Sequence, residues 1–287
     1  MDLSYTRNFF SPILLANQTV RIVCSRRTFI LLCGCLSIFF CIFAVYAATK
    51  IKFYYFNPDS VQSNFSLLSR GFSNFLKQAG LDASFQAFAQ KSDFDQRIKD
   101  IRPDLILVPS WYFQQYGQSL GLTPLLTSLE NGKPNYTKIL MVRKAEPFTV
   151  DQLKGKTVAM TTMGPNTEEL LKNYFKDQGI DFSTMNIIVT PKDADALYAL
   201  ALGQVDAALV GQATLNMVGS VNQRLLEATK ELVASSPVPT PILCALPGSA
   251  DKVEVAKMKA MLLGERDNNT LPNNLDLLHI NGWQKML

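Results

Sequence analysis

Histidine is almost absent from this chain: His279 is its only one. Cysteine is scarce as well, since Cys24, Cys33, Cys35 and Cys41 all precede residue 49 and only Cys244 follows. A lone cysteine closes no intrachain disulfide, and no Cys/His cluster offers the spacing of a zinc or iron–sulfur site. One histidine removes most His-dependent catalytic arrangements except a lone acid or base, and "LLHINGW" reads as a packed or surface setting for it. G-x-S-x-G, the P-loop and G-x-G-x-x-G are missing too. These absences argue against an enzyme and against any cofactor or metal. Four of the 28 basic and one of the 24 acidic residues lie in positions 1–48, so the remainder carries 24 and 23 and is nearly neutral. Nothing there marks a nucleic-acid binder.

Charge is missing altogether from Thr28 to Thr49, "TFILLCGCLSIFFCIFAVYAAT". The run exceeds the ~7–15 residues of a signal-peptide core and reaches the ~20 that span a bilayer. Arg21, Arg26 and Arg27 precede it, which keeps the N-terminus in the cytoplasm and sends Lys50 onward outside. Val45-Tyr46-Ala47 before Ala48 also fits a small-residue cleavage site. "SRRTFI" resembles the twin-arginine export motif, although so apolar a run suits the general secretory route better. Residues 1–48 are therefore expected to be a cytoplasmic N-terminus plus a signal peptide or membrane anchor, the anchor being residues 28–48. The rest is expected in the periplasm or at the outer face of the cytoplasmic membrane.

What is abundant is apolar residue, 47% of the chain, set in short blocks. "IKFYYFN" reads as a strand, and Phe65, Leu68, Phe72, Phe75 and Leu76 then recur at helical spacing up to the stop signal Gly80. "ASFQAFA", "PDLILVPS", "TKILMVR", "KTVAMTT", "MNIIVT" and "DAALVG" are further strands. "SDFDQRIKD" is a short helix opened by a serine cap, and "DADALYALALG" is another helix. Alternating strands and helices predict an α/β fold with parallel sheets. Two extended links, "TSLENGKPNYTKILMVRKAE" and the four-proline "ASSPVPTPILCALPG", predict two lobes. Proline is excluded from central strands and helix interiors, so the second link should carry the chain back. The expected lobes are 49–142 with 240–287, and 143–239.

"NGKPNYTKILMVRKAEPFTVDQLKGKTVAM" closely resembles the phosphate/phosphite/phosphonate-type substrate-binding proteins of ABC transporters, whose pattern there is "dGkp-Y-s-lvvrkds-i-tledLkGktva". "DALYALALGQVDAALVG" is similar to that family's helix ending "a-a-l-a-nG-vDAg". "LVASSPVPTPILCALPG" and "DLILVPSWYFQQYGQSLGLTPLL" resemble its return segment and its first-lobe region. The resemblance runs from Ile51 to Leu287 and is sharpest between Asn131 and Gly211. It implies the two-lobed type 2 periplasmic-binding-protein fold, with a solute held in an interlobe cleft and hinged closure around it. It also implies a small polar, oxyanion-like ligand and an ABC permease as partner. A membrane-tethered sensory or accessory domain of the same fold is the alternative.

"VAMTTMGPNTEELLKNYF" (Val158 to Phe175) runs from strand to helix through a hydroxyl-rich turn. Oxyanion-binding members of the family carry an "nSTSG" cluster here, where hydroxyls and N–H groups at a helix start meet the anion. This chain has Thr161, Thr162, Asn166 and Thr167 instead. Glu168 and Glu169 follow at once and would oppose a nearby anion, while Asn166 and Glu169 fit a capping box that needs no ligand. Further ligand candidates are Ser110, Trp111 and Tyr112 after "DLILVP", Gln212 after "DAALVG", and Tyr54 on the first strand.

Overall fold

Strand β1, Ile51–Phe56, buries both of its faces. Period-two alternation sends Phe53 and Tyr55 into one apolar cluster and Tyr54 and Phe56 into another, as expected of a strand covered on two sides. The computed structural model describes residues 50–59, 64–146, 148–264, 278 and 280–286. The uncharged run at 28–49 and His279 lie outside them. Among the described residues no helix is long and apolar enough to cross a membrane.

Helix α1, Phe65–Gln78, starts where the Asn64 side chain accepts the Leu67 N–H at 2.9 Å, and it buries Leu68, Phe72, Phe75 and Leu76. β2 (Ala83–Phe88), α2 (Lys91–Asp100), β3 (Leu105–Val108), α3 (Ser110–Leu120) and β4 (Thr123–Leu129) follow. α2 has Gln90 at its N-cap with no side-chain bond, so the expected serine cap is not made; Ser92 lies inside the helix. β5 (Asn135–Tyr136) crosses to β6 (Lys138–Arg143). Next come β7 (Thr157–Thr161), α4 (Thr167–Tyr174), β8 (Asn186–Thr190), α5 (Asp193–Ala201), β9 (Ala207–Gly211), α6 (Gln212–Val221), α7 (Gln223–Glu227) and β10 (Thr229–Ala234). β11 (Val238–Pro239) pairs back onto β5, and β12 (Ile242–Ala245), α8 (Val253–Leu262) and β13 (Gly282–Lys285) complete the chain.

Two sheets result. The first is ordered β13-β4-β12-β3-β1-β2 and the second β10-β6-β9-β7-β8. Only β2-β1-β3 and β8-β7-β9 are parallel; β12, β13, β6 and β10 run antiparallel to their neighbours. The expected α/β fold with parallel sheets is thus corrected to mixed sheets, each with a parallel core. Simple β-α-β winding gives parallel neighbours, whereas strands that arrive from the other sheet enter reversed. β6 hydrogen-bonds within the second sheet, so the expected boundary at 142 falls inside one of its strands. β12, "ILCA", is the proline-free stretch of the four-proline segment, and it inserts between β3 and β4. One apolar cluster reaches across both sheets, joining Ile106, Val108 and Trp111 to Leu140, Val158, Met160 and Leu209.

Candidate functional site

Parallel strands of α/β sheets present their carboxyl ends to ligands, and here three such ends meet. Asp59 follows β1, Thr161 ends β7 and Gly211 ends β9. Tyr136 on β5 and Lys138, the first residue of β6 and the register partner of Gly211, come from the crossing. Asp193 opens α5. Lys138 Nζ lies 2.9 Å from Asp59 Oδ1 and 3.7 Å from Asp193 Oδ1, with its side chain 1% exposed. The Tyr136 hydroxyl donates to Asp59 Oδ2 at 2.7 Å, and Thr161 Oγ1 donates to Asp59 Oδ1 at 2.6 Å. Gly211 N–H donates to Asp193 Oδ2 at 2.6 Å.

The two carboxylates are not equivalent. Burial opposes the charge of Asp59, but Lys138 and the Thr161 and Tyr136 hydroxyls outweigh it and hold the group below its ordinary value. Burial lifts Asp193 to about 7; Lys138, nearer to Asp59, pulls it down only in part, and the Asp59 charge adds to the rise. A protonated Asp193 can donate to Thr161 Oγ1, 3.2 Å away, whose own proton is committed to Asp59. Burial disfavours a charged Lys138, yet Asp193 and Asp59 raise it above the usual lysine value. Near neutral pH the cluster therefore holds Lys138 as a cation and Asp59 as an anion, with Asp193 divided about evenly between acid and carboxylate. Lys138 Nζ makes no aligned hydrogen bond to any described residue, so part of its donor capacity is unspent.

A cavity of about 50 Å³ adjoins the cluster, lined by Tyr55, Asn57, Asp59, Glu130, Tyr136 and Gly211 among others. That is room for a few waters. Burial and the neighbouring Asp59 both raise Glu130.

The β7–α4 turn packs against the first sheet's helix α3. Gln115 Nε2 donates to the Met163 carbonyl at 3.0 Å. Gly164 has φ +79°, and a Cβ there would lie 2.3 Å from Gln115 Oε1 and 3.0 Å from Trp111 Cζ3. Only glycine suits both the left-handed backbone and the close approach. A further contact links the sheets, with Lys192 Nζ 5.3 Å from the centre of the Phe65 ring.

The described chain thus carries a mixed α/β fold whose strand ends surround a buried polar cluster. The model of the family "ABC transporter, phosphonate, periplasmic substrate-binding protein" matches residues 55–286. The chain belongs to that family. No curated protein matches this substrate-binding protein in sequence. Among solved structures it is similar to a binding protein component of an ABC phosphonate transporter from Pseudomonas aeruginosa, with 14% identity, TM-score 0.65, and 82% of this chain and 81% of that one covered. It is also similar to PhnD1 from Prochlorococcus marinus in complex with methylphosphonate, with 10% identity, TM-score 0.68, and coverage of 83% and 93%. A histidine kinase sensor domain with similarity to periplasmic binding proteins matches at 17% identity and TM-score 0.52, covering 83% and 98%. At such identities these likenesses concern the fold. The family is periplasmic, so the folded part of this substrate-binding protein works outside the cytoplasm.

Of the residues expected at the ligand, only Thr161 enters the cluster. Tyr54 is buried and packs edge-on against Phe88. Trp111 and Tyr112 are 2% exposed and lie within a ring cluster with Phe56 and Phe94. Ring-on-ring packing buries all three. Ser110 spends its hydroxyl on the Pro239 carbonyl at 2.9 Å. Thr162 accepts the Gly164 N–H, and Thr167 donates to the Gly164 carbonyl, so both serve the turn itself. Asn166 is exposed at the N-cap of α4 without a side-chain bond, and the expected capping box is absent. A capping box forms instead at Thr149 and Gln152. Gln212 is exposed and bonds Asn216 on its own helix; its neighbour Gly211 is the one facing the cluster. Glu168 and Glu169 point into solvent.

Sequence reasoning missed Asp59, Tyr136, Lys138 and Asp193. One signal was available: Lys138 is a charge at the head of "KILMV", a run otherwise fit only for burial. Asp193 in "PKDADALY" looks like an ordinary helix start. Asp59 in "FNPDS" looks like an ordinary turn residue.

Proposed function

We propose that this protein captures a small polar solute between two lobes and presents it to an ABC permease. In this reading each sheet is the core of one lobe. The described residues of 50–129 and 242–286 form the first and those of 138–234 the second, and the chain crosses near 130–137 and 235–241. The observation that supports it is the meeting of Asp59, Tyr136, Lys138, Thr161 and Asp193 at one buried point between the sheets. Polar and charged groups are costly to bury unless they are paired or serve a ligand. Thr161 and Lys138 are the donors we assign to the solute, and an oxyanion of the phosphonate type suits them best. The chain belongs to a family of substrate-binding proteins, and we read the role of the cluster as binding.

The experiment is a thermal-shift screen of the full chain against methylphosphonate, phosphate, alkylsulfonates, small carboxylates and amino acids. Hydrogen exchange then locates the bound solute. At least one solute should raise the melting temperature, with protection at 57–59, 136–138 and 161–164. Protection confined to other segments, or no shift with any of these solutes, overturns the proposal.

The uncharged run at 28–49 supports a second reading, a tethered sensory or accessory binder of the same fold. Mass spectrometry of the mature protein separates the two. A cleaved N-terminus near Ala48 favours a free solute carrier, and a retained run favours the tether.

A further inference from the structure

The donors assigned to the solute already serve an anion, and it belongs to the chain. Asp59 accepts the Thr161 hydroxyl on Oδ1 and the Tyr136 hydroxyl on Oδ2, and it pairs with Lys138 at 2.9 Å. Two neutral donors and one cation around two coplanar oxygens are what a buried carboxylate or phosphonate group needs. The side chain of Asp59 is only 8% exposed, so this is an enclosed setting and not a surface ion pair. The same pattern recurs beside it. Gly211 N–H, at the start of α6, would also suit an incoming anion, and Asp193 takes it at 2.6 Å.

We propose that Asp59 acts as a tethered surrogate for the solute's oxyanion, occupying the anion subsite of Lys138, Tyr136 and Thr161 and drawing the first sheet's β1 loop onto the second sheet. The proposal rests on the solute-capture reading above. An oxyanion can reach these donors only after the carboxylate withdraws, because two like charges sharing three donors in an enclosed site repel strongly. Among the described residues the adjoining 50 Å³ cavity offers no second cationic group, since its ionisable lining is Tyr55, Asp59, Glu130 and Tyr136. Asp59 thereby sets a threshold: weakly bound anions fail to displace it, and a solute must supply enough further contact to do so. The fold should tolerate its loss, because Asp193 stands 3.7 Å from Lys138 and takes over as counter-ion by giving up its proton.

Calorimetric titration of the full chain with methylphosphonate, for the native protein and the Asp59→Ala and Asp59→Asn variants, tests the idea. Solution scattering with and without the compound accompanies it. Asp59→Asn keeps shape and an acceptor, so it carries the test if the alanine variant fails to fold. We expect at least a tenfold gain in affinity in either variant, and a larger radius of gyration than the native protein before methylphosphonate is added. Adding Tyr136→Phe to the variant should remove most of the gain. Equal or weaker binding by the Asp59 variants overturns the surrogate role and leaves solute capture standing. A native protein that binds nothing, with variants that also bind nothing, overturns the surrogate role. The solute screen then decides the capture reading by itself.

Discussion

Two groups of buried side chains sit near the same strand ends and answer to different physics. Around Trp111, rings satisfy one another: Phe56, Phe94 and Tyr112 pack with centroids 5.2–6.2 Å apart, in stacked or edge-on pairs. Each such pair contributes roughly 0.5–1.5 kcal/mol beyond the area it buries. Around Lys138 nothing is satisfied alone. Asp59 needs Lys138, Thr161 and Tyr136, and Asp193 needs a proton or Lys138. Burial alone does not tell a core from a site. Both groups draw members from the two sheets, and the difference lies in whether the buried groups themselves carry charge.

If that distinction holds, removing Lys138 should have the largest effect. Lys138→Met leaves Asp59 buried beside Asp193 with no cation, and breaking a buried pair in this way costs ~3–5 kcal/mol. At ~2–4 °C per kcal/mol for a domain of this size, the melting temperature should fall by roughly 10 °C. Urea unfolding measures it directly. A loss under ~1 kcal/mol would mean that the cluster is better solvated than its burial implies.

Gly164→Ala should come next, because it strikes where the two regions touch. A non-glycine residue in the left-handed backbone costs ~1–2 kcal/mol. The added methyl also meets the end of the Gln115 side chain, which must swing away from the Met163 carbonyl, and crowds the Trp111 ring. We expect ~2–3 kcal/mol lost, read by thermal unfolding, and a larger radius of gyration by scattering. Unchanged dimensions would show that this contact does not hold the sheets together.

Asp193 gives a pH signature that the ring cluster cannot give. Its value in the folded protein, about 7, lies above the 3.8 it starts from. Between these limits the native state holds a proton that the unfolded chain releases. Stability contributed by the protonated form is therefore full below pH ~4 and is lost as pH rises towards 7, by at most ~1.4 kcal/mol per pH unit. Asp59, held below its ordinary value, acts with the opposite sign and only in more acid solution. Asp193→Asn keeps an acceptor for Gly211 N–H and should flatten the slope between pH 5 and 7. Parallel melting-temperature curves for variant and native protein would remove Asp193 from the account.

Seven strands and several helices were legible because apolar period and turn residues act locally: "IKFYYF", "TKILMVR" and "DAALVG" all fold as read, whereas β4, β10, β12 and β13 were not read as strands. The direction of the reversed strands, β6 among them, was not legible, since it depends on which sheet the chain is leaving. The site was legible only at Thr161. Hydroxyls in a strand-to-helix turn attract attention in a sequence, yet Thr162 and Thr167 spend theirs within that turn. Asp59 and Lys138 are 79 residues apart in the chain, and no local pattern announces a pair closed across two sheets.

The smallest effect tests the aromatic side. Tyr112 follows a strand and was a natural platform for a solute, yet its ring is enclosed and its hydroxyl donates to Asp95 Oδ1 at 2.9 Å. Burial first, and then the Asp95 charge, raise its ionisation far above the usual tyrosine range, so it stays a neutral donor. Tyr112→Phe keeps the ring contacts and removes one hydrogen bond to a carboxylate that Lys91 also pairs. The loss should be ~1 kcal/mol, a few degrees in melting temperature, because Asp95 is not left stranded. Affinity for whichever solute the screen identifies should stay within a factor of two. A fivefold or greater loss of affinity at unchanged stability would return the ring cluster to the binding site and erase the division between the two regions.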